Sequence, residues 1–108
     1  MEVAASGREV ELTKRPGGFA LRGNYPNPFK RTTTLAFVLP EAATVSVDVY
    51  DILGGRVMHI GDKRLAAGTG RSMQLDASTL ASGSYVYRVT ATMTSVTQTA
   101  TGQLVITR

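Results

Sequence analysis

The chain of 108 residues contains no cysteine and no tryptophan, and it has a single histidine. Without cysteine there is no disulfide, no thiol nucleophile and no cysteine-ligated zinc. No apolar run approaches the roughly 18 residues that a membrane-spanning helix needs. The first residues also lack the basic start and apolar stretch of a secretory signal peptide. If the protein is exported, we therefore expect its export signal to lie upstream of this chain.

Residues suited to catalysis are scarce as well. A serine triad needs a base, and the only histidine, His59, stands between Met58 and Ile60 without a Gly-x-Ser-x-Gly motif in the chain. Asp48 and Asp51 are too few for a calcium loop, and Asp48 is expected to point outward from its strand. No glycine-rich phosphate loop is present. We therefore expect no enzyme activity, no catalytic residue, no cofactor and no metal.

The charge balance is basic but dispersed. Twelve basic and eight acidic residues give a net charge of +4. The basic pairs at 14–15, 30–31 and 63–64 lie far apart in the sequence, and aromatic residues do not alternate with them. Nucleic-acid-binding surfaces concentrate such charges on one face or along one element. The distribution therefore predicts a solvated basic surface and no nucleic-acid partner.

The chain divides into a short linker and one domain. Residues 1–18 contain few large apolar side chains, although Val10 and Leu12 alternate with polar residues and could form a first edge strand. Pro16, Gly17 and Gly18 then interrupt any regular structure. We predict a linker over residues 1–18 and a single domain over residues 19–108, a normal domain size.

Within the domain, apolar and polar residues alternate with a period of two, which is typical of strands with one buried face. Val45, Val47 and Val49 are the clearest case. Six or seven such segments are separated by turn residues at intervals of about 8–12 residues, and none shows a helical stripe. The sequence predicts an all-β, immunoglobulin-like antiparallel β-sandwich of about seven strands. The three valines, Leu75 and Tyr87 should lie between its sheets.

A proline-rich bend precedes the first clear strand. Pro26 and Pro28 are separated by one residue, so this segment cannot be a helix or a central strand. Tyr25 and Phe29 flank the two prolines. We predict an ordered loop held against the core, with both aromatic rings largely buried.

Sugar binding is the main alternative function for a small sandwich of this type. Carbohydrate-binding sandwiches stack sugar rings on exposed aromatic side chains. The chain has four tyrosines, three phenylalanines and no tryptophan, and Tyr50 alone has the phase of an exposed strand residue. A carbohydrate- or surface-binding accessory module therefore stays open as the alternative.

Five blocks, in order, resemble one known family. They are LRGNYPNPF at 21–29, TTTLAFVLP at 32–40, VSVDVYDILGGRV at 45–57, LASGSYVYR at 80–88 and GQLVITR at 102–108. Together they resemble the type A C-terminal sorting domain of proteins exported by the bacterial type IX (Por) secretion system. Gly55 is inserted relative to the family pattern, Gln103 stands where lysine is common, and Leu75 stands where tryptophan is often found. The first phrases also resemble an immunoglobulin-like domain of flagellar hook-capping proteins, but the terminal position of the last strand favours sorting.

The resemblance implies a sorting address and no enzyme. The folded domain would be recognised by the outer-membrane translocon, and a sortase would cut within the linker. The cargo would then be secreted or held on the external face of the outer membrane, often joined to anionic lipopolysaccharide, with the domain itself monomeric. The implied recognition residues are Gly83, Tyr85, Leu104, Val105, Ile106, Thr107 and Arg108.

Simpler structural roles remain open for two of these residues, since Gly83 could supply a positive φ angle and Tyr85 could fill the core. If the last strand lies at a sheet edge, we expect it to present unpaired backbone groups that are open to strand addition by a partner. Arg108 is expected to carry an exposed charge.

Overall fold

The computed structural model describes residues 18–108, which form seven strands and no helix. The strands are β1 Ala20–Tyr25, β2 Thr32–Leu39, β3 Ala43–Tyr50, β4 Arg56–Leu65, β5 Gly68–Asp76, β6 Gly83–Thr92 and β7 Thr97–Ile106. This confirms the predicted fold class and strand number. The expected first edge strand around Val10 and Leu12, like the linker before Gly18, lies outside the described residues.

The strands form two antiparallel sheets that pack face to face. One sheet has the order β1-β2-β5 and the other β4-β3-β6-β7. The pairs β1–β2, β3–β4 and β6–β7 are consecutive in sequence, and the connections after β2, β4 and β5 cross from one sheet to the other. The first and last described strands are therefore edge strands of different sheets.

The core follows the period-two alternation of the sequence. Val45, Val47, Val49, Leu75 and Tyr87 are each fully buried, as predicted. Alternate residues of β2, β6 and β7 complete the apolar layer between the sheets. Phe19 and Phe37 add a tilted ring pair, with centroids 6.3 Å apart, where the first strand enters the core.

Tyr87 depends on a glycine in the neighbouring strand. Its ring passes over Gly102, its directly opposite partner in β7. A Cβ atom at Gly102 would lie 2.5 Å from the Cζ and Oη atoms of Tyr87, which is closer than real Cβ contacts come. Burial raises the pKa of the Tyr87 hydroxyl, so this group stays neutral and can donate to Asn24 Oδ1 at 3.5 Å. The strand that carries the predicted recognition residues is thus fitted to the largest side chain of the core.

We predict that Gly102→Ala lowers the free energy of unfolding by about 1–3 kcal/mol, because the tyrosine ring must move within a packed core. Gly61→Ala in β4 is the matched control, since a Cβ there meets nothing within 4 Å. It should stay within about ±0.5 kcal/mol of the parent. Urea denaturation of the two variants provides the comparison. An equal loss of unfolding free energy in both variants would mean that the close contact with Tyr87 is not the reason for glycine at position 102.

Candidate recognition surface at one end of the sandwich

One end of the sandwich brings together four segments that are distant in sequence. Residue 83, where β6 begins, pairs with residue 106, where β7 ends. Further along, Tyr50 pairs with Val86, which pairs in turn with Gln103. In the other sheet Thr32 pairs with residue 76. We call the resulting surface the end face; it comprises residues 26–31, 51–55, 77–85 and 103–108.

The proline loop and the last strand are joined by four hydrogen bonds. Asn27 Nδ2 donates to the Gln103 carbonyl at 3.0 Å, and the Val105 N–H donates to Asn27 Oδ1 at 3.0 Å. The Phe29 N–H donates to the Val105 carbonyl at 3.0 Å, and the Thr107 N–H donates to the Phe29 carbonyl at 2.9 Å. Phe29 thereby forms a short parallel bridge with β7. We call these four bonds the clasp. The peptide bonds before Pro26 and Pro28 are both cis.

The clasp corrects the expectation that the last strand offers an open edge. In an antiparallel pair, alternate residues direct their backbone groups away from the partner strand. In β7 these include Gln103 and Val105, and Thr107 follows in the same phase. Their outward groups bond to Asn27 and Phe29. Strand addition at residues 103–107 would have to displace the protein's own loop.

Arg108 is likewise anchored, in contrast to the free charge that was expected. The residue as a whole is exposed, but its guanidinium donates to the carbonyls of Leu80 and, at 2.7 Å, Ala77. Its backbone N–H donates to Ser82 Oγ at 3.1 Å. The planar guanidinium can serve two acceptors at once. Arg108 therefore ties residues 103–108 to the turn that precedes β6.

The same turn is held at its start by Asp76. Its Oδ1 accepts the Ser78 N–H at 2.9 Å and also the Ser78 hydroxyl. These two bonds, followed by the positive charges of Arg31 and Arg108, lower the pKa of the Asp76 carboxyl. The turn is closed by the Leu80 N–H, which donates to the Ala77 carbonyl at 3.0 Å.

The predicted recognition residues lie side by side on this end face. Gly83 pairs with Ile106, and Tyr85 pairs with Leu104. Gly83 has φ +149°, and a Cβ there would meet no atom within 4 Å, so conformation and not space favours glycine. Tyr85 is half-buried, and its hydroxyl donates to the Ala81 carbonyl at 2.8 Å.

Burial divides the recognition residues into two groups. Leu104 and Ile106 are buried in the core. Val105 is half-buried, whereas Thr107 and Arg108 are exposed. Only the second group, with Gly83 and Tyr85, can present atoms to a partner while the domain stays folded.

The sequence prediction for the two aromatic rings of the loop was half right. Phe29 is 3% exposed, but Tyr25 is 82% exposed. Asn24 takes the inward position instead, since its Nδ2 donates to Thr33 Oγ1 at 3.2 Å and its Oδ1 faces the Tyr87 hydroxyl. Because neighbouring strand residues point to opposite faces, Tyr25 is left outside.

Asp48 lies on the outer face of the four-stranded sheet, as its phase predicts, but neighbouring side chains cover it and it is only 9% exposed. His59 Nδ1 lies 2.6 Å from its Oδ1, and Arg56 donates to the same oxygen at 3.1 Å. Burial by itself would raise the pKa of Asp48, but the hydrogen bonds and charges of His59 and then Arg56 together lower it. Among residues 18–108, no hydroxyl group is hydrogen-bonded to His59.

Tyr50 offers little to a sugar ring. It is half-buried, the Arg88 guanidinium lies 5.3 Å from its ring centroid, and Arg88 also donates to its hydroxyl. The cation therefore occupies the ring face on which a sugar would stack. Over the described part of the chain, no three His, Asp or Glu side chains are grouped as metal ligands. That part also has no helix long and apolar enough to cross a membrane.

Sequence reasoning did not identify two features of the end face. One is Asn27, whose side chain makes half of the clasp. The other is the turn after β3, where Ile52 and Leu53 are 81% and 90% exposed. The only available signal for Asn27 was its place between two prolines. An aliphatic pair directly before Gly54-Gly55 was the signal for the turn.

Comparison with known proteins agrees with this geometry. The chain matches no curated protein. A family model described as the secretion system C-terminal sorting domain matches residues 24–106. This match begins at the proline loop and ends at the last residue of β7, so it covers most of the chain and most of the clasp. The chain belongs to the family of type IX secretion C-terminal sorting domains.

Proposed function

We propose that the outer-membrane translocon of the type IX system reads this domain through its end face, after the domain has folded. A sortase then cuts within the linker, residues 1–18, and the cargo is released or held on the external face of the outer membrane, with anionic lipopolysaccharide as a candidate attachment. Residues 19–108 act as a monomeric, non-catalytic address. The observation that carries this proposal is the clasp.

The clasp makes the end face dependent on complete folding. It joins residues 76 and 78 positions apart in the chain. It also connects the loop after β1, which belongs to the three-stranded sheet, with β7 of the four-stranded sheet. The surface formed by residues 103–108 therefore exists only when both sheets are in place. A receptor for this surface would therefore not bind the domain before it has folded.

The exposed members of the recognition set are the proposed contact residues. Gly83, Tyr85, Val105, Thr107 and Arg108 have accessible surface on the end face. Leu104 and Ile106 support this surface from below by burying their side chains in the core. Substitutions in the first group should therefore reduce export while the domain stays folded. Substitutions in the second group should reduce export because the domain unfolds.

The test is export of a reporter placed behind a signal peptide and in front of this chain, in a host with a type IX system. The parent fusion should reach the surface or medium. Thr107→Glu places a bulky charge on the end face, while its clasp bond uses only the backbone. We expect export to fall about tenfold or more, as for a central interface contact.

Thr99→Glu is the matched control, because Thr99 is an exposed threonine within β7, away from the end face, whereas Thr107 directly follows β7. It should be exported like the parent. The melting temperatures of both variants should remain within a few degrees of the parent, since exposed substitutions change stability by about ±0.5 kcal/mol. If Thr107→Glu is folded and exported normally, the end face is not what the translocon reads.

A further inference from the structure

Exposed large apolar side chains are concentrated at one corner of the domain. Of the five such residues among 18–108, Ile52 (81% exposed), Leu53 (90%), Val57 (39%) and Val86 (45%) lie around the turn between β3 and β4. Val86 pairs with Tyr50, and Arg56, next to Val57, pairs with the same tyrosine. We call these four residues the aliphatic corner. It borders the start of β6 and so adjoins the recognition residues of the end face.

The turn that presents Ile52 and Leu53 is rigidly built. Asp51 Oδ1 accepts the Leu53 N–H at 3.0 Å and the Gly55 N–H at 2.9 Å. The Gly54 N–H donates to the Asp51 carbonyl at 3.0 Å, and the Asp51 N–H donates to the Gly55 carbonyl at 2.9 Å. A turn fixed by four bonds loses little conformational entropy on binding. Turn tips normally carry small or polar residues, and these two aliphatic side chains bury almost nothing in the fold.

The cationic groups at the edge of the corner are more exposed than the carboxylate that they face, since the side chain of Asp48, which binds Arg56, is only 13% exposed. The side chain of Arg56 is 57% exposed, and Arg88 is exposed beside Val86. The two nearest carboxylates are already engaged, Asp51 by backbone N–H groups and Asp48 by His59 and Arg56. A complementary partner would therefore offer an apolar cavity with carboxylates at its rim.

We propose that the aliphatic corner inserts into an apolar, acidic-rimmed pocket on a protein of the outer-membrane translocon. This inference rests on the proposed function and adds the chemistry of the partner. A protein pocket suits a narrow, convex turn with two projecting side chains. A lipid surface is less suitable, because even a whole myristoyl chain gives only marginal membrane binding, and two aliphatic side chains supply less apolar area.

The test measures binding of the chain to purified translocon by biolayer interferometry. In Ile52→Ser/Leu53→Ser the dissociation constant should rise about tenfold or more, with an unchanged melting temperature because neither side chain is in the core. Tyr25→Ser is the matched control, since Tyr25 is the remaining large exposed apolar residue of the described chain and lies in the other sheet. It should bind within about twofold of the parent. Parent-like binding of the double variant would overturn the proposal.

Charge at the tip tests the rim of the pocket. Leu53→Glu and Leu53→Lys remove the same contact but differ in sign, so the glutamate variant should bind about fivefold or more weaker than the lysine variant. Equal binding, or the reverse order, would contradict an acidic rim. Binding of the parent to vesicles of phosphatidylethanolamine and phosphatidylglycerol that is lost in Ile52→Ser/Leu53→Ser would assign the corner to lipid and overturn the proposal.

The export assay keeps this inference distinct from the proposed function. If the parent fusion is not exported, the proposed function fails and the corner loses its partner with it. If the parent is exported, Thr107→Glu is not exported, and Ile52→Ser/Leu53→Ser is exported normally, the translocon reads the exposed recognition residues without the aliphatic corner. In that case only the present inference is lost.

Discussion

Deletion of residues 104–108 is expected to abolish export and to unfold the domain at the same time. It removes Leu104 and Ile106, which are 0% and 1% exposed and contribute roughly 1.5–3 kcal/mol of burial each. It also removes three bonds of the clasp and the anchoring of Arg108, at about 0.5–1.5 kcal/mol per ordinary hydrogen bond. A domain of this size has about 5–15 kcal/mol of stability in total.

The measurement is urea denaturation of the purified truncated chain beside the reporter export assay. The truncated protein should show no cooperative transition, or one at much lower urea concentration. The control is Asn27→Ala, which removes the side-chain half of the clasp but keeps all core residues, and it should retain a cooperative transition. A truncated chain that keeps the parent's transition would show that the last strand contributes little to the fold.

Arg108→Ala is a less discriminating probe than the sequence suggested. An exposed terminal charge could be removed at almost no cost in stability, but the guanidinium bonds to two carbonyls of the turn before β6. Hydrogen bonds to charged groups contribute about 1.5–3 kcal/mol each, less where water reaches them. Loss of export in that variant would therefore mix a folding effect with a recognition effect. Thr107→Glu separates the two because its side chain has no partner within the described chain.

The sandwich could be predicted from sequence because its core residues show a local alternation of apolar and polar side chains within each strand. Val45, Val47 and Val49 show the period directly, and β3 buries that face against the other sheet. Turn residues at regular intervals then set the number of strands. The family phrases covered the same segments, and the matched residues 24–106 agree with them.

The end face could be predicted only in part, because its contacts connect distant residues. The bonds from Asn27 to Gln103 and Val105 depend on how two sheets pack, and no local pattern encodes that distance. Tyr25 was misplaced because alternation gives two faces but does not say which one is buried when a polar neighbour, Asn24, finds partners inside. Asp48 likewise kept its predicted face, and its covering by His59 could not be deduced from its own strand.

Phe29→Ala is expected to lower the free energy of unfolding by about 3–5 kcal/mol, as for other buried phenylalanines. Phe29 is 3% exposed, and its backbone supplies two bonds of the clasp. Loss of the ring leaves a cavity under the proline loop and frees the loop to move away from β7. Urea denaturation of parent and variant at pH 7 measures the change.

Tyr25→Ala is the matched control for this prediction, since it removes an aromatic ring from the other side of the same loop. Tyr25 is 82% exposed, so its loss should alter stability by about ±0.5 kcal/mol. The amount of exported reporter should follow stability. The Tyr25 variant should be exported normally, and export of the Phe29 variant should fall in proportion to its unfolded fraction. A Phe29 variant with parent-like stability would mean that the loop is held to β7 by its backbone bonds and not by the buried ring. An equal loss of stability in the Tyr25 variant would mean that burial of the ring is not the cause of the effect.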